Sequence, residues 1–426
     1  MIDRELGIKF KHNTKEIYIL DSIMSSGKTT GIIKFMNENM NRKYLYVSPL
    51  LSEVTDRIPN ECPLLDFVTP TTDNHKTKAD HLLELLKDGR NISFTHSLFT
   101  GISLKHLKEI DDHNYTLIVD EEIDFIEQYN GKDYNYKDIV TLENSGLITV
   151  DENNPGRIKW NWSEDKFDSE SVYGKLKRMC DLEMLHTTKR ERNMLVLHLP
   201  ISLVTVTEQT IVMTYLFKGS IMDRFMEMKG IAVKDFDGVQ LIRTEAEVKR
   251  NIDSKVEEII TRSSAKVLNN PKKYKLSSLW YKDPRSKECL KDVGNAILSL
   301  CRQSEGKDKV LYTLPKALVT SNSSKKPLIR VRGFGSDECF LYCGTKATNL
   351  YSDRNFMIHA YNRYPMQSVA AYLQDYGFPI NADDFALSEM IQWIFRSAIR
   401  NNESIKVAFL SSRMRDLWRA WLDGEM

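Results

Sequence analysis

Residues 18–30 read YILDSIMSSGKTT. Three apolar residues, Tyr18, Ile19 and Leu20, run into small polar residues, and the turn closes on Gly27, Lys28, Thr29 and Thr30. Beyond Gly31, the apolar residues Ile32, Ile33, Phe35 and Met36 recur at helical spacing. Strand, small-residue loop, Gly-Lys-Thr and helix in that order make a phosphate-binding P-loop. In such a loop, backbone N–H groups and the helix N-terminus face the phosphates. Lys28 then reaches the β- and γ-phosphates, and the Thr29 hydroxyl sits on Mg²⁺. Ser22 takes the place of the usual first glycine, which a serine tolerates if its φ stays negative. The bland alternative is an ordinary Ser/Gly turn opening a helix.

Outward from this stretch, short apolar strands alternate with helical segments. KYLYVSPL (43–50) reads as a strand ending in a Ser-Pro turn. Residues 50–58 read as a helix carrying Glu53, Asp56 and Arg57 outward. Residues 81–86 and 104–110 have helical spacing, residues 91–94 read as a strand, and YTLIV (115–119) reads as a strand ending in Asp120-Glu121-Glu122. This alternation predicts a doubly wound α/β domain with a mostly parallel sheet. The polar residues Ser25 to Thr30, Ser48, Thr95, His96, Asp120 and Glu121 all fall at C-terminal strand ends, the edge where open α/β sheets bind ligands.

Residues 130–195 break the rhythm and read as an insertion with a helix over 172–185. Strands are expected over 194–206 and 210–216, and a helix over 221–228. A long charged helix is expected over 245–262 and another over 289–302. A second α/β sheet begins near Val310, with strands at 340–343, 356–360 and 405–410. Helices follow at 385–399 and 414–422.

The chain has 426 residues, enough for two or three domains. Its net charge of +1 gives no global signal for nucleic acid, so any basic surface must be local. No apolar run approaches the roughly 20 residues of a membrane span, and the charged N-terminus does not suit a signal peptide. The six scattered cysteines fit reduced thiols in a cytoplasmic protein with no membrane partner.

Asp120 and Glu121 supply what a P-loop needs: a carboxylate for Mg²⁺ and one to polarise the attacking water. Acidic residues at a strand end also suit a helix N-terminus, and Glu122 and Asp124 read as solvated residues of that kind. Gln392 and Arg396 are one helical turn apart, with Arg400 a turn further. They read either as γ-phosphate ligands or as a solvated helix face. PKKYK (271–275) and KKPLIRVRGF (325–334) combine basic and aromatic residues that contact nucleic acid if exposed. Ser48, Thr95, His96 and Ser97 suit either a phosphate backbone or helix capping.

Taken together these residues resemble the superfamily 2 helicases, above all the viral and bacteriophage replication helicases that include origin-binding proteins. Ser22 to Thr29 is similar to that group's first motif, S-x-M-G-[ST]-G-K-T, with Ser25 in place of a Gly. YVSPLLSEVTDR (46–57) resembles motif Ia, FTHSLF (94–99) motif Ib and VDEEID (119–124) motif II. VMTYLF (212–217) resembles motif III, GTKATNLYSD (344–353) motif V and QWIFRSAIR (392–400) motif VI. Phe395 replaces the motif VI glycine, and Arg400 falls one residue late.

The resemblance implies two RecA-like P-loop NTPase domains with parallel sheets. The first is expected over 1–225 with its insertion at about 130–195, an accessory region over 226–299, and the second over 300–426. It implies ATP and Mg²⁺ as cofactors. Ser22, Ser25, Ser26, Gly27, Lys28, Thr29 and Thr30 would bind the nucleotide, and Thr29 and Asp120 the metal. Glu121 would activate water, and Arg396, with Gln392 and Arg400, would act at the γ-phosphate. Ser48, Thr95, His96, Thr348 and Asn349 would contact nucleic acid. The implied partners are single-stranded or forked DNA, with RNA left open, and other replication proteins, in the host cytoplasm if the gene is a phage's. A P-loop nucleoside or nucleotide kinase and a non-hydrolysing nucleic-acid-binding accessory are the competing readings.

Overall fold

The computed structural model describes residues 2–3, 8–131, 133–151, 153, 155–162, 172–189, 194–319, 327–345 and 350–426. By contacts the chain divides into two compact units. One holds Met1–Ser22, Lys28–Leu241 and Pro365–Asn381; the other holds Ile23–Gly27, Ile242–Tyr364 and Ala382–Met426. Both are RecA-like α/β domains built on a parallel sheet, as expected.

In the first unit, β1 (Ile2–Asp3) and β2 (Ile8–Lys9) pair antiparallel. The main sheet uses β3 (Glu16–Asp21), β4 (Lys43–Ser48), β5 (Ile92–Thr95) and β6 (Tyr115–Asp120). The insertion follows, as β7 (Ile126–Gln128), β8 (Ile148–Asp151), β9 (Arg157–Trp160), β10 (Leu185–Thr187) and β11 (Leu195–His198). The chain then returns to the main sheet with β12 (Gln209–Thr214) and β13 (Ala232–Asp235), giving the order β13-β3-β12-β6-β4-β5. Every pairing in that sheet is parallel. Strands buried on both faces must be apolar throughout, which explains why YILD, YLYV and TLIV carry no alternation. One face packs Ile32, Ile33 and Met36 of the helix Lys28–Glu38 on Tyr46, Ile118 and Met213. The opposite face packs Val47, Val119 and Val212 on Phe99, Leu107 and Phe225.

The insertion is an antiparallel five-stranded sheet, β7-β11-β10-β9-β8, with its own core around Ile139, Ile158, Leu176 and Leu195. The helix Gln367–Asp375, distant in sequence, docks on it: Tyr372 donates to the Pro155 carbonyl at 2.7 Å and Ser368 to Gln128 at 3.3 Å.

The second unit contains β14 (Val256–Glu258), β15 (Val310–Thr313), β16 (Phe356–His359) and β17 (Ile405–Phe409), all parallel, in the order β14-β17-β16-β15.

Four local expectations fail. Residues 194–206 form β11 of the insertion followed by a helical turn, Ser202–Thr205, because the Leu199-Pro200 step ends the strand. Residues 245–262 do not form one helix. The helix Glu245–Asp253 stops at Ser254, and β14 is the next element. The region 226–299 thus contributes one strand to each main sheet, β13 and β14. At 340–343 the expected strand shrinks to a single bridge between Phe340 and Tyr312. The helix Ala382–Ile394 ends before Arg396, so Gln392 and Arg396 do not share a helical face.

Candidate nucleotide-binding site

β3 delivers Asp21 and Ser22 to the C-terminal sheet edge, and the helix Lys28–Glu38 starts six residues after Ser22. The loop between them turns through two left-handed residues, Ser25 at φ 64° and Gly27 at φ 98°. Gly27 suits its conformation, whereas Ser25 holds one that a side chain makes unfavourable. Ser25 is also the residue that replaces a glycine in the helicase-like motif, so backbone geometry explains why that motif has glycine there. Ser22, the other substituted position, lies outside the left-handed set. A Cβ on Gly27 would sit 2.8 Å from Ile242, and the Ser26 carbonyl accepts from the Ile242 and Arg243 N–H groups at 2.9 and 3.2 Å. The Ser26 hydroxyl is fully buried with no hydrogen-bond partner.

Lys28 Nζ donates to the Ser22 carbonyl. Burial lowers the ammonium pKa to about 8, against the pull of Asp120, Asp21 and Glu121. Asp120 closes β6, and its carboxylate accepts from Ser48 at 3.2 Å. Burial raises its pKa to about 7, followed by repulsion from Glu121 and Glu53; Lys28 and Ser48 oppose the shift. Glu121 is held at φ 66°, with its N–H donating to the Met213 carbonyl at 2.9 Å. Strain of this kind at a strand end collects where function demands a fixed direction.

Three further residues belong to this edge. Glu53, expected to point outward, is only 8% exposed. It opens a π-helical turn, Glu53–Arg57, that sets it beside buried Val54, and Arg57 pairs with it at 3.2 Å. Arg57 also donates to Thr30 at 3.3 Å. Glu122 is not a solvated helix-start residue, since no helix follows β6. It accepts from Thr214 at 2.9 Å and Ser220 at 2.7 Å, joining the ends of β6 and β12. Asp21 accepts from the Leu216 and Phe217 N–H groups, both at 2.9 Å. Glu53 left no usable sequence signal, because helical periodicity assumes 3.6 residues per turn.

The expected nucleic-acid residues fare differently. Ser48 is fully buried and bonded to Asp120, so it serves the carboxylate instead of an external strand. Thr95 and His96 are half-buried at the start of the short helix His96–Thr100, and Thr95 makes no capping bond through its side chain. Tyr274 of PKKYK is buried and donates to Asp292 at 2.6 Å, which removes it as a stacking platform. Thr348, Asn349, Lys325 and Lys326 lie outside the described residues. In the second unit, Arg396 is buried just after the helix Ala382–Ile394. Gln392 is half-buried and donates to Ser388 at 3.2 Å, and Arg400 is exposed in the turn Ala398–Asn401.

The donor set fits the implied ligands. An ammonium, a helix N-terminus and an unpartnered Ser26 hydroxyl suit phosphate. Hard oxygens on Thr29 and Asp120 suit Mg²⁺, which takes few protein ligands and completes its shell with phosphate and water. Among the described residues no group of three or more His, Cys, Asp or Glu side chains is arranged to hold a metal by itself. Nor is any helix among them long and apolar enough to cross a membrane.

Comparison with known proteins agrees with this architecture. Residues 253–422 match the family of the YonV C-terminal Rossmann-like domain. Over 431 residues, the chain is 31% identical to YonV, an SPbeta prophage-derived protein of Bacillus subtilis strain 168, covering 96% of this chain and all of that one. The structure of S. tokodaii Xpd4 aligns over 95% of this chain and 94% of its own, with 12% identity and a TM-score of 0.50. An XPD helicase structure aligns over 96% and 95%, with 12% identity and a TM-score of 0.46.

Proposed function

The chain belongs to the YonV family, and from that premise we propose that it is an ATP-hydrolysing nucleic-acid helicase or translocase, acting on DNA in phage or viral genome replication. The observation that carries this reading is the convergence of Lys28, Asp120 and Glu121 at one sheet edge, beside the N-terminus of the P-loop helix. Two parallel-sheet units in one chain support a helicase over a P-loop kinase, which has no use for the second. The prophage origin of YonV supports the replication setting, and the DNA preference rests on the motif resemblance.

Lys28 binds the β- and γ-phosphates of ATP, and the residues from Ser22 to Thr30 cradle the triphosphate. Thr29 and Asp120 hold Mg²⁺, which when bound offsets phosphate charge. Ser48 fixes the Asp120 carboxylate for that task. Glu121 orients and deprotonates the attacking water. Arg396 acts at the γ-phosphate, where an arginine is worth about 10³–10⁵ in rate.

The test is the ATPase rate of the full chain with single-stranded DNA, duplex, forked DNA and RNA side by side. Stimulation by a polynucleotide is expected, together with its loss in Lys28→Ala and Glu121→Gln. Turnover that depends on a nucleoside and ignores polynucleotides would instead establish a kinase. Strand binding without any turnover would establish an accessory protein.

A further inference from the structure

Arg363 is a buried cation that the proposed mechanism does not use. It follows β16 at the C-terminal edge of the second unit's sheet. Its guanidinium donates to Glu389 at 2.5 Å, to the Tyr342 hydroxyl at 3.1 Å and to the Tyr361 hydroxyl at 3.4 Å. The same group lies over the rings of Tyr342, Tyr361 and Phe385, 5.2 to 5.5 Å from their centroids. Side-chain exposure is 11% for Arg363 and 24% for Glu389. Arg363 Nε is buried without a hydrogen-bond partner.

This is an odd device for stability. Apolar residues of similar volume often do as well as a buried ion pair, or better, and an unsatisfied buried N–H adds a further cost. The partners show what the pair connects. Glu389 lies on the helix Ala382–Ile394, and Arg396 falls in the non-helical turn that follows it. Trp393 of that helix donates to the Leu341 carbonyl at 3.0 Å. The Cys343 thiol donates to the Glu389 carbonyl at 3.5 Å, 3.7 Å from His359 Nε2. A Cβ on Gly344, where the motif V-like segment begins, would meet Glu389 Oε2 at 3.4 Å and Arg363 at 3.5 Å. Three pieces of chain therefore meet at one pair: the end of β16, the start of the 344–353 segment, and the helix leading to Arg396.

We propose that the Arg363–Glu389 pair is the positioning element for Arg396, locking the helix Ala382–Ile394 to the sheet edge and to Gly344 so that the turn after Ile394 holds one orientation. The pair contacts no substrate and acts through Arg396. This inference rests on the assignment of Arg396 to ATP hydrolysis.

The test uses the full chain with single-stranded DNA and measures kcat and KM for ATP beside thermal melting. In Arg363→Met/Glu389→Met the charges are replaced by apolar volume. Melting at or near the wild-type temperature is expected, with KM within about twofold and kcat down about 10²-fold, the penalty for a displaced group. Adding Arg396→Ala to that double variant should bring it only to the level of Arg396→Ala alone, because the residues act as one unit. Arg363→Lys keeps the charge but loses the planar fork, and a loss of about 10-fold in kcat is expected. A folded double variant with wild-type kcat overturns the proposal. If the double variant does not fold, wild-type kcat in Arg363→Lys overturns it. Wild-type turnover in Arg396→Ala removes the assignment of Arg396 and this inference with it. An impaired Arg396→Ala beside a fully active double variant removes this inference alone.

Discussion

The C-terminal edges of the two parallel sheets carry similar inventories and use them differently. At the first, Lys28, Asp120 and Glu53 crowd together, with the ammonium lowered to about 8 and the carboxyl raised to about 7. Glu121 and Leu216 hold left-handed backbone at the strand ends there. At the second edge, Arg363 is paired with Glu389 and enclosed by three aromatic rings. No non-glycine residue next to the ends of β15, β16 or β17 has positive φ. One edge holds charges that burial disfavours and that, on the proposed function, a bound phosphate and cation would offset. The other satisfies most of its charge internally, as a frame would. On similar sheets the proposed ligand site and the proposed positioning site thus differ in the net effect on their charges, disfavoured at Lys28 and Asp120 and upheld by Glu389 at Arg363.

The largest expected effect probes that contrast. Glu121→Gln and Arg396→Ala should each lower kcat by about 10³-fold or more while leaving ATP affinity nearly unchanged. Phosphate release and equilibrium binding of an ATP analogue measure the two quantities. Arg400→Ala, on an exposed turn, should change kcat less than about threefold; a loss equal to that of Arg396→Ala would assign it a role at the phosphate as well.

Acid should separate the units next. Burial lowers the pKa of His186 to about 3, and that of its stacked neighbour His198 well below the usual imidazole range, both in the first unit. Burial likewise lowers His359, in the second unit, to about 3. These imidazoles stay neutral in the fold and become protonated in the unfolded chain near pH 6.5. Stability is therefore complete above about pH 6.5 and declines as pH falls toward 3. At pH 5 the loss is on the order of 2 kcal/mol for each of His186 and His359, and His198 adds to it in the first unit, which therefore loses more. Hydrogen exchange resolved by unit, at pH 7.5 and 5, checks this. Equal losses in the two units would break the distinction, and His186→Phe should flatten the first unit's profile.

Glu122→Ala removes the acceptor shared by Thr214 and Ser220. It should destabilise the first unit by about 1–2 kcal/mol in urea unfolding. The smallest effect is expected from Ser25→Gly, which relaxes the left-handed φ. Relief of strain, less the added chain entropy, should stabilise by about 0.5 kcal/mol. A loss of stability would mean that the Ser25 side chain contributes contacts of its own.

Part of the proposed site was legible because it is local. Gly27, Lys28 and Thr29 are adjacent, and Asp120 and Glu121 follow an unbroken apolar run. Glu53 was misread because a π-helical turn follows no 3.6-residue period. Ser48 was placed at the wrong partner, since a buried serine and a surface serine look alike in sequence. Glu122 was misread for a related reason: its partners, Thr214 and Ser220, are more than 90 residues away.

Hydrophobic runs, a loop of small residues and their spacing determine by themselves that this chain builds parallel α/β sheets with a P-loop at one strand end. Strand and helix periodicity is a short-range property, and apolar burial enforces it. Tertiary structure alone decided which sheet each strand joins: β12 inserts between β3 and β6, and β14 starts the second sheet. It also decided that the helix Gln367–Asp375 docks on the insertion, and which charges meet. Arg363 and Glu389 are 26 residues apart, and Ser48 and Asp120 are 72 apart. Pairings of this kind depend on the register of distant strands and the packing of their faces, which no local pattern in the chain encodes.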